Sequence, residues 1–167
     1  MNLTYDEVEA TRSGPLPEGY RHLRHRTLVG TGPTAMAAAS DAVLEWWMHR
    51  AAGVKIVASA PRAKPGVHVD CAIGQGPLRF GAPAQVVWAE EGDRRAGLGY
   101  GTLPGHFAHG EEGFIVERDD MDDVWLTVLS FSRPARRPMR VGGSLVPVLQ
   151  RVYARRCGTA LRRLVGS

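Results

Sequence analysis

At 167 residues, 44% hydrophobic and 23% charged, the chain has the length and composition of one soluble globular domain with room for a core. Its apolar runs are too short to cross a bilayer, and the polar, acidic start MNLTYDEVEATRSG is unlike a signal peptide, so no membrane insertion and a cytoplasmic location are expected. The formal charge of +4 hides an asymmetry: no acidic residue follows Asp123, whereas Arg133, Arg136, Arg137, Arg140, Arg151, Arg155, Arg156, Arg162 and Arg163 do.

That basic segment either lies on the acidic body of the same chain or offers a surface to an acidic partner. No nucleic-acid reader motif accompanies it, which argues against nucleic acid. Cys71 and Cys157 lack CxxC or His-rich spacing and read as two buried thiols.

In chain order, residues 1–20 read as an irregular arm ending in PLPEGY, and a short strand follows over 23–29. GTGPTAMAAASDAVLEWWMHRAAG then reads as one helix, with Pro33 in its first turn and Gly53 just past its end. Met36, Ser40, Val43 and Trp47 form a mostly apolar stripe along it.

From Val54 to Arg133 the pattern changes to period two. Strands are expected near 54–59, 66–74, 78–89, 95–103, 111–118 and 124–132. The breaks GQGP, EEGDRR and RDDMDD are hairpin-like, which predicts antiparallel pairing. A long helix closes the chain over 140–165, with Ser144 as its cap and Pro147 in its first turn. Leu145, Leu149, Val152, Tyr153, Ala160 and Leu164 supply its apolar face.

Strand, helix, six strands and a long helix make an α+β helix-grip fold. A curved antiparallel sheet of about seven strands wraps around the C-terminal helix, with one helix after the first strand, all in a single domain spanning 1–167. Sheet and helix in that arrangement leave space for a small apolar ligand.

LVGTGPTAMAAA carries a GxGxxA spacing between strand and helix. The acidic residue that would hold a ribose and a second βαβ unit are both missing, so a dinucleotide is not expected. Phosphate loops, nucleophile elbows, HExxH and EF-hand loops are absent from the sequence, and no cofactor is predicted.

The most unusual stretch is GYGTLPGHFAHGEEGF, residues 99–114. Strand alternation puts Leu98, Tyr100 and Thr102 on one face and Gly97, Gly99 and Gly101 on the other. The glycine face would let the sheet bend or the C-terminal helix approach. Alternation also separates Glu111 from Glu112, and Glu112, beside Phe114 and Val116, is expected to be the more buried, paired with Arg133. His106 and His109 lack helical metal spacing, so no metal is predicted.

His106 and Glu112 are instead the candidates for general acid/base chemistry. Tyr100, Thr102, His106, Glu112, Ser132, Arg133 and Tyr153 are the candidate polar fixtures of a ligand pocket. Trp47, Trp88, Trp125 and Phe131 are expected mainly in the core.

TYDEV (Thr4–Val8), LPEGY (16–20), VGTG (29–32), WWM (46–48), GYGTLPGH (99–106), GEEGF (110–114), SFSRP (130–134), Gln150 and Tyr153 together resemble the DUF1990 or UPF0548 group of uncharacterised proteins. Glu9 departs from it, standing where a pattern like YxxVGxT has glycine. The resemblance implies a Bet v 1-like, START-like fold and no established activity. Three functions stay open: a binding protein for an unknown, largely apolar small molecule; an enzyme using Glu112 or His106 on a carbonyl-type substrate; and an interaction protein using the arginine-rich helix. The oligomeric state is not legible.

Overall fold

The computed structural model describes residues 2–73, 80–135 and 145–166. Seven strands, β1 (Arg21–Thr31), β2 (Lys55–Ala58), β3 (His68–Ile73), β4 (Phe80–Glu90), β5 (Arg95–Thr102), β6 (Ala108–Arg118) and β7 (Asp123–Pro134), form one antiparallel sheet. Their order is β1-β7-β6-β5-β4-β3-β2, so every neighbour after the first pair is also a neighbour in sequence. Two helices, α1 (Gly32–Leu44) and α2 (Trp47–Ala51), carry the chain from one edge strand to the other, and α3 (Leu145–Val165) ends it. The expected helix-grip architecture is therefore what the chain adopts. GQGP, Ser144, Arg136, Arg137 and Arg140 lie outside the described residues.

The core fills the space between the concave sheet face and the helices. Leu98, Phe114, Val116, Val128 and Leu126 point inward from β5, β6 and β7. Ala154, Cys157 and Leu161 meet them from α3. The helix crosses β1 closely, because a side chain at Gly158 would overlap Thr27. Arg162 in its last turn donates twice to the Leu28 carbonyl, at 3.0 and 2.9 Å.

The structure divides the single helix expected after β1. Trp46 adopts a left-handed conformation (φ 68°) between α1 and α2. This turn drives its ring into the core, where it is fully buried and donates to the Ala60 carbonyl at 3.2 Å. Trp47 is thereby thrown outward to 47% exposure and leaves the apolar stripe predicted for it. Leu149 and Val152 also depart from expectation. They are largely exposed, because the first half of α3 stands over an open space rather than on packed side chains.

The N-terminal arm has no regular structure, yet it is firmly held. Tyr5 and Thr11 are buried against the outer face of β5 and β6. The space for Tyr5 exists because Gly101 has no side chain, and Gly99 does the same for the Trp88 indole. The glycine face of β5 thus accommodates the arm and Trp88, not α3.

Candidate functional site

Adjacent residues on a strand project to opposite faces, and β6 uses this to separate two carboxylates. Glu111 faces outward into the arm, where it is only 2% exposed. Its Oε2 accepts from the Tyr5 hydroxyl at 2.7 Å and the Glu9 amide at 2.8 Å. Its Oε1 accepts from the Thr11 amide at 2.9 Å and also from the Thr11 hydroxyl. Trp88 Nε1 in turn donates to Thr11 Oγ1 at 2.9 Å. Glu111, not Glu112, is the more buried carboxylate, and the arm makes it so.

Glu112 faces inward. It borders a cavity of about 560 Å³ between the sheet and the first half of α3. The Tyr100 hydroxyl, its register partner on β5, donates to Glu112 Oε2 at 2.9 Å. What surface Glu112 retains opens into this cavity rather than into bulk water. Burial consequently pushes its carboxyl up to about 7, against the opposing effect of the Tyr100 hydrogen bond.

The cavity gathers most of the expected polar residues. Tyr100, Thr102, His106, Glu112, Ser132 and Tyr153 all line it. His106 Nδ1 accepts the Ala108 amide at 3.0 Å, which places the proton of the neutral ring on Nε2. Burial lowers its pKa to about 4, so it is neutral at physiological pH. Burial also raises the phenols of Tyr100 and Tyr153 well above their ordinary range.

Arg133 is not among the lining residues, and its expected pairing with Glu112 does not form. The β6–β7 register sets Glu112 opposite Ser130, and His109 opposite Arg133. The Arg133 guanidinium stands 5.0 Å over the Tyr20 ring, beside the arm. The described arginines of α3 make no ion pair with the acidic body either. Among the described residues its acids are met by Arg12, Arg62, Arg94, Arg95 and Arg118.

Sequence reasoning missed Cys71, Ala82, Ser130, Leu149, Gln150 and Arg156 in the cavity wall. Ser130 had a signal, since it lies two residues from Ser132 on the same strand. Leu149, Gln150 and Arg156 had one too, at i−4, i−3 and i+3 from Tyr153 on α3, whereas Cys71 and Ala82 come from β3 and β4 and only the folded sheet brings them there. Cys71 and Cys157 are free, buried thiols.

The sequence profile of the domain of unknown function DUF1990 matches residues 4–160. The chain belongs to the DUF1990 family. A UPF0548 protein of Deinococcus radiodurans is 32% identical over 176 residues, covering 98% of this chain and 87% of that one. Among solved structures, a hypothetical protein of Helicobacter pylori superposes with a TM-score of 0.66 at 12% identity, covering 86% of each chain. A Thalictrum norcoclaurine synthase point mutant, in complex with a transition-state analogue, superposes with a TM-score of 0.60 at 10% identity over 90% of this chain and 97% of that one. At such identities the likeness shows the Bet v 1-like fold of this DUF1990 member and nothing of its chemistry. No described helix is long and apolar enough to cross a membrane.

Proposed function

We propose that this protein binds a small, largely apolar molecule between its sheet and α3. One observation carries the reading: a cavity of about 560 Å³, walled mainly by apolar groups, with the Tyr100–Glu112 pair inside it. That volume is in the range of small-molecule sites, and a few convergent polar groups in an apolar wall are what orient a ligand. Thr102, His106, Ser132 and Tyr153 are its further polar fixtures. Leu149 and Val152, exposed where α3 borders the cavity, would be covered by a bound molecule.

Native mass spectrometry of the protein purified from its own host tests this. An adduct is expected, and it should vanish in Ala82→Trp, which fills the cavity from β4. No adduct, together with no thermal shift from a panel of apolar compounds, would sink the proposal.

A second reading, proton transfer by Glu112, is favoured by its pKa near 7, where a carboxyl can both give and take a proton. His106, neutral down to about pH 4, suits hydrogen-bond donation from Nε2 better than base catalysis. Glu112→Gln separates binding from catalysis: retained affinity with lost turnover indicates an enzyme.

A further inference from the structure

The most unusual property of the cavity is a carboxyl that no cation pairs with among the described residues. Among the described residues Glu112 makes one hydrogen bond, to Tyr100, and no ion pair. Apart from Arg156 of α3, the titratable groups that the described elements place around it are neutral. Tyr100 comes from β5, Cys71 from β3, and Tyr153 and Cys157 from α3. Burial holds both thiols up at about 12 and raises both phenols well above their ordinary range.

The two nearby histidines are uncharged as well. His106 borders the cavity, and His49 of α2 packs against Phe114 and Tyr100, with ring centroids 4.6 and 6.2 Å away. Burial depresses them to about 4 and about 3. The single cation among the described lining residues is Arg156, exposed on α3, and it reaches no carboxylate.

A carboxylate held in a mainly apolar wall with no ion pair is costly. A ligand that brings the missing positive charge removes that cost, and one that brings a second negative charge increases it. The rings of Tyr100, Tyr153 and Phe107 line the same cavity, and aromatic faces attract ammonium groups.

We propose, on the basis of the binding function above, that the ligand is an apolar amine whose ammonium group pairs with Glu112 against the Tyr100 hydroxyl. The Glu112 proton leaves as the ammonium enters, so binding near neutrality releases a proton to solvent. An alkylammonium, like a lysine, stays charged across pH 6–8 and contributes no titration of its own.

The test is calorimetric titration with three probes of one shape: 4-phenylbutylamine, 4-phenylbutan-1-ol and 4-phenylbutanoate. At pH 8 the amine is expected to bind about ten-fold or more tightly than the alcohol, and the acid most weakly. The advantage of the amine should shrink on going to pH 6, as Glu112 takes up its proton. Titrations at pH 7 in two buffers of different ionisation enthalpy should show proton release for the amine and none for the alcohol. Glu112→Gln should erase the amine preference, bringing the amine no tighter than the alcohol. The wild-type pH series stands independently if that variant folds poorly.

Equal binding of amine and alcohol, tighter binding of the acid, or a preference that survives Glu112→Gln overturns the amine assignment and leaves the cavity-binding function standing. Failure of all three probes to bind, with no adduct retained from the host, overturns both.

Discussion

Glu111 and Thr11, separated by a hundred residues, share two hydrogen bonds: the amide and the hydroxyl of Thr11 both donate to one carboxylate oxygen. With Tyr5 and Glu9 on the other oxygen, one side chain accepts four donors from the arm. Glu111→Ala would leave those donors unmet and is expected to destabilise the fold by roughly 3–5 kcal/mol, measured by chemical denaturation. Loss of under about 1 kcal/mol would show that the arm is not anchored there.

Glu9 has a φ of 67°, a backbone conformation that side chains disfavour. Its amide reaches Glu111 whatever its side chain, and its own carboxylate makes only an exposed pair with Arg12. Glu9→Gly is therefore expected to stabilise the protein by about 0.5–1 kcal/mol, visible as a raised Tm.

Glu112 titrates near 7 in the folded chain and near 4.5 when exposed. Between those values the native state keeps a proton that the unfolded state has lost, so its contribution to stability falls as pH rises from about 4.5 to 7 and is level above that. Glu112→Gln should match the wild type near pH 4.5 and exceed it at pH 8 by a margin of about 1–3 kcal/mol. Denaturation curves at the two pH values decide it, and a variant weaker at pH 8 would contradict the raised pKa.

His49 gives the opposite sign. It is wholly buried, neither ring nitrogen has a hydrogen-bond partner among the described residues, and burial lowers its pKa to about 3. The unfolded chain takes up its proton near 6.5, so this residue's share of stability is lost as pH falls from 6.5 toward 3. His49→Phe keeps a ring among Trp46, Tyr100 and Phe114 and removes two unmet polar atoms. It should unfold at a lower pH than the wild type in an acid titration followed by circular dichroism.

The sheet was legible because period-two segments bounded by turn residues admit few other readings. Asp119 shows how local such signals are: it closes the β6–β7 turn by accepting the amides of Met121 and Asp123 and the Trp125 indole. The break at Trp46 was not legible, since the helical pattern continues through it and only the demand to bury that indole reverses φ. Arg133 was misplaced for a related reason. Which residue of β7 stands beside Glu112 depends on register, and register is a property of the pair of strands. The arm's attachment was invisible because Thr11 and Glu111 are local to nothing but each other. The glycine expected at position 9 becomes intelligible only with the left-handed turn that aims the amide of residue 9 at that carboxylate.

Two neighbouring glutamates with opposite surroundings also act as a proofreading device for strand pairing. A slip of β6 by one residue would turn Glu111 into the cavity and Glu112 outward. The arm would lose the acceptor to which Tyr5, Glu9 and Thr11 are fitted, and Phe114 would leave the core. A misthreaded sheet therefore cannot recruit the first dozen residues, and an arm that has docked certifies that the cavity carries the intended carboxyl.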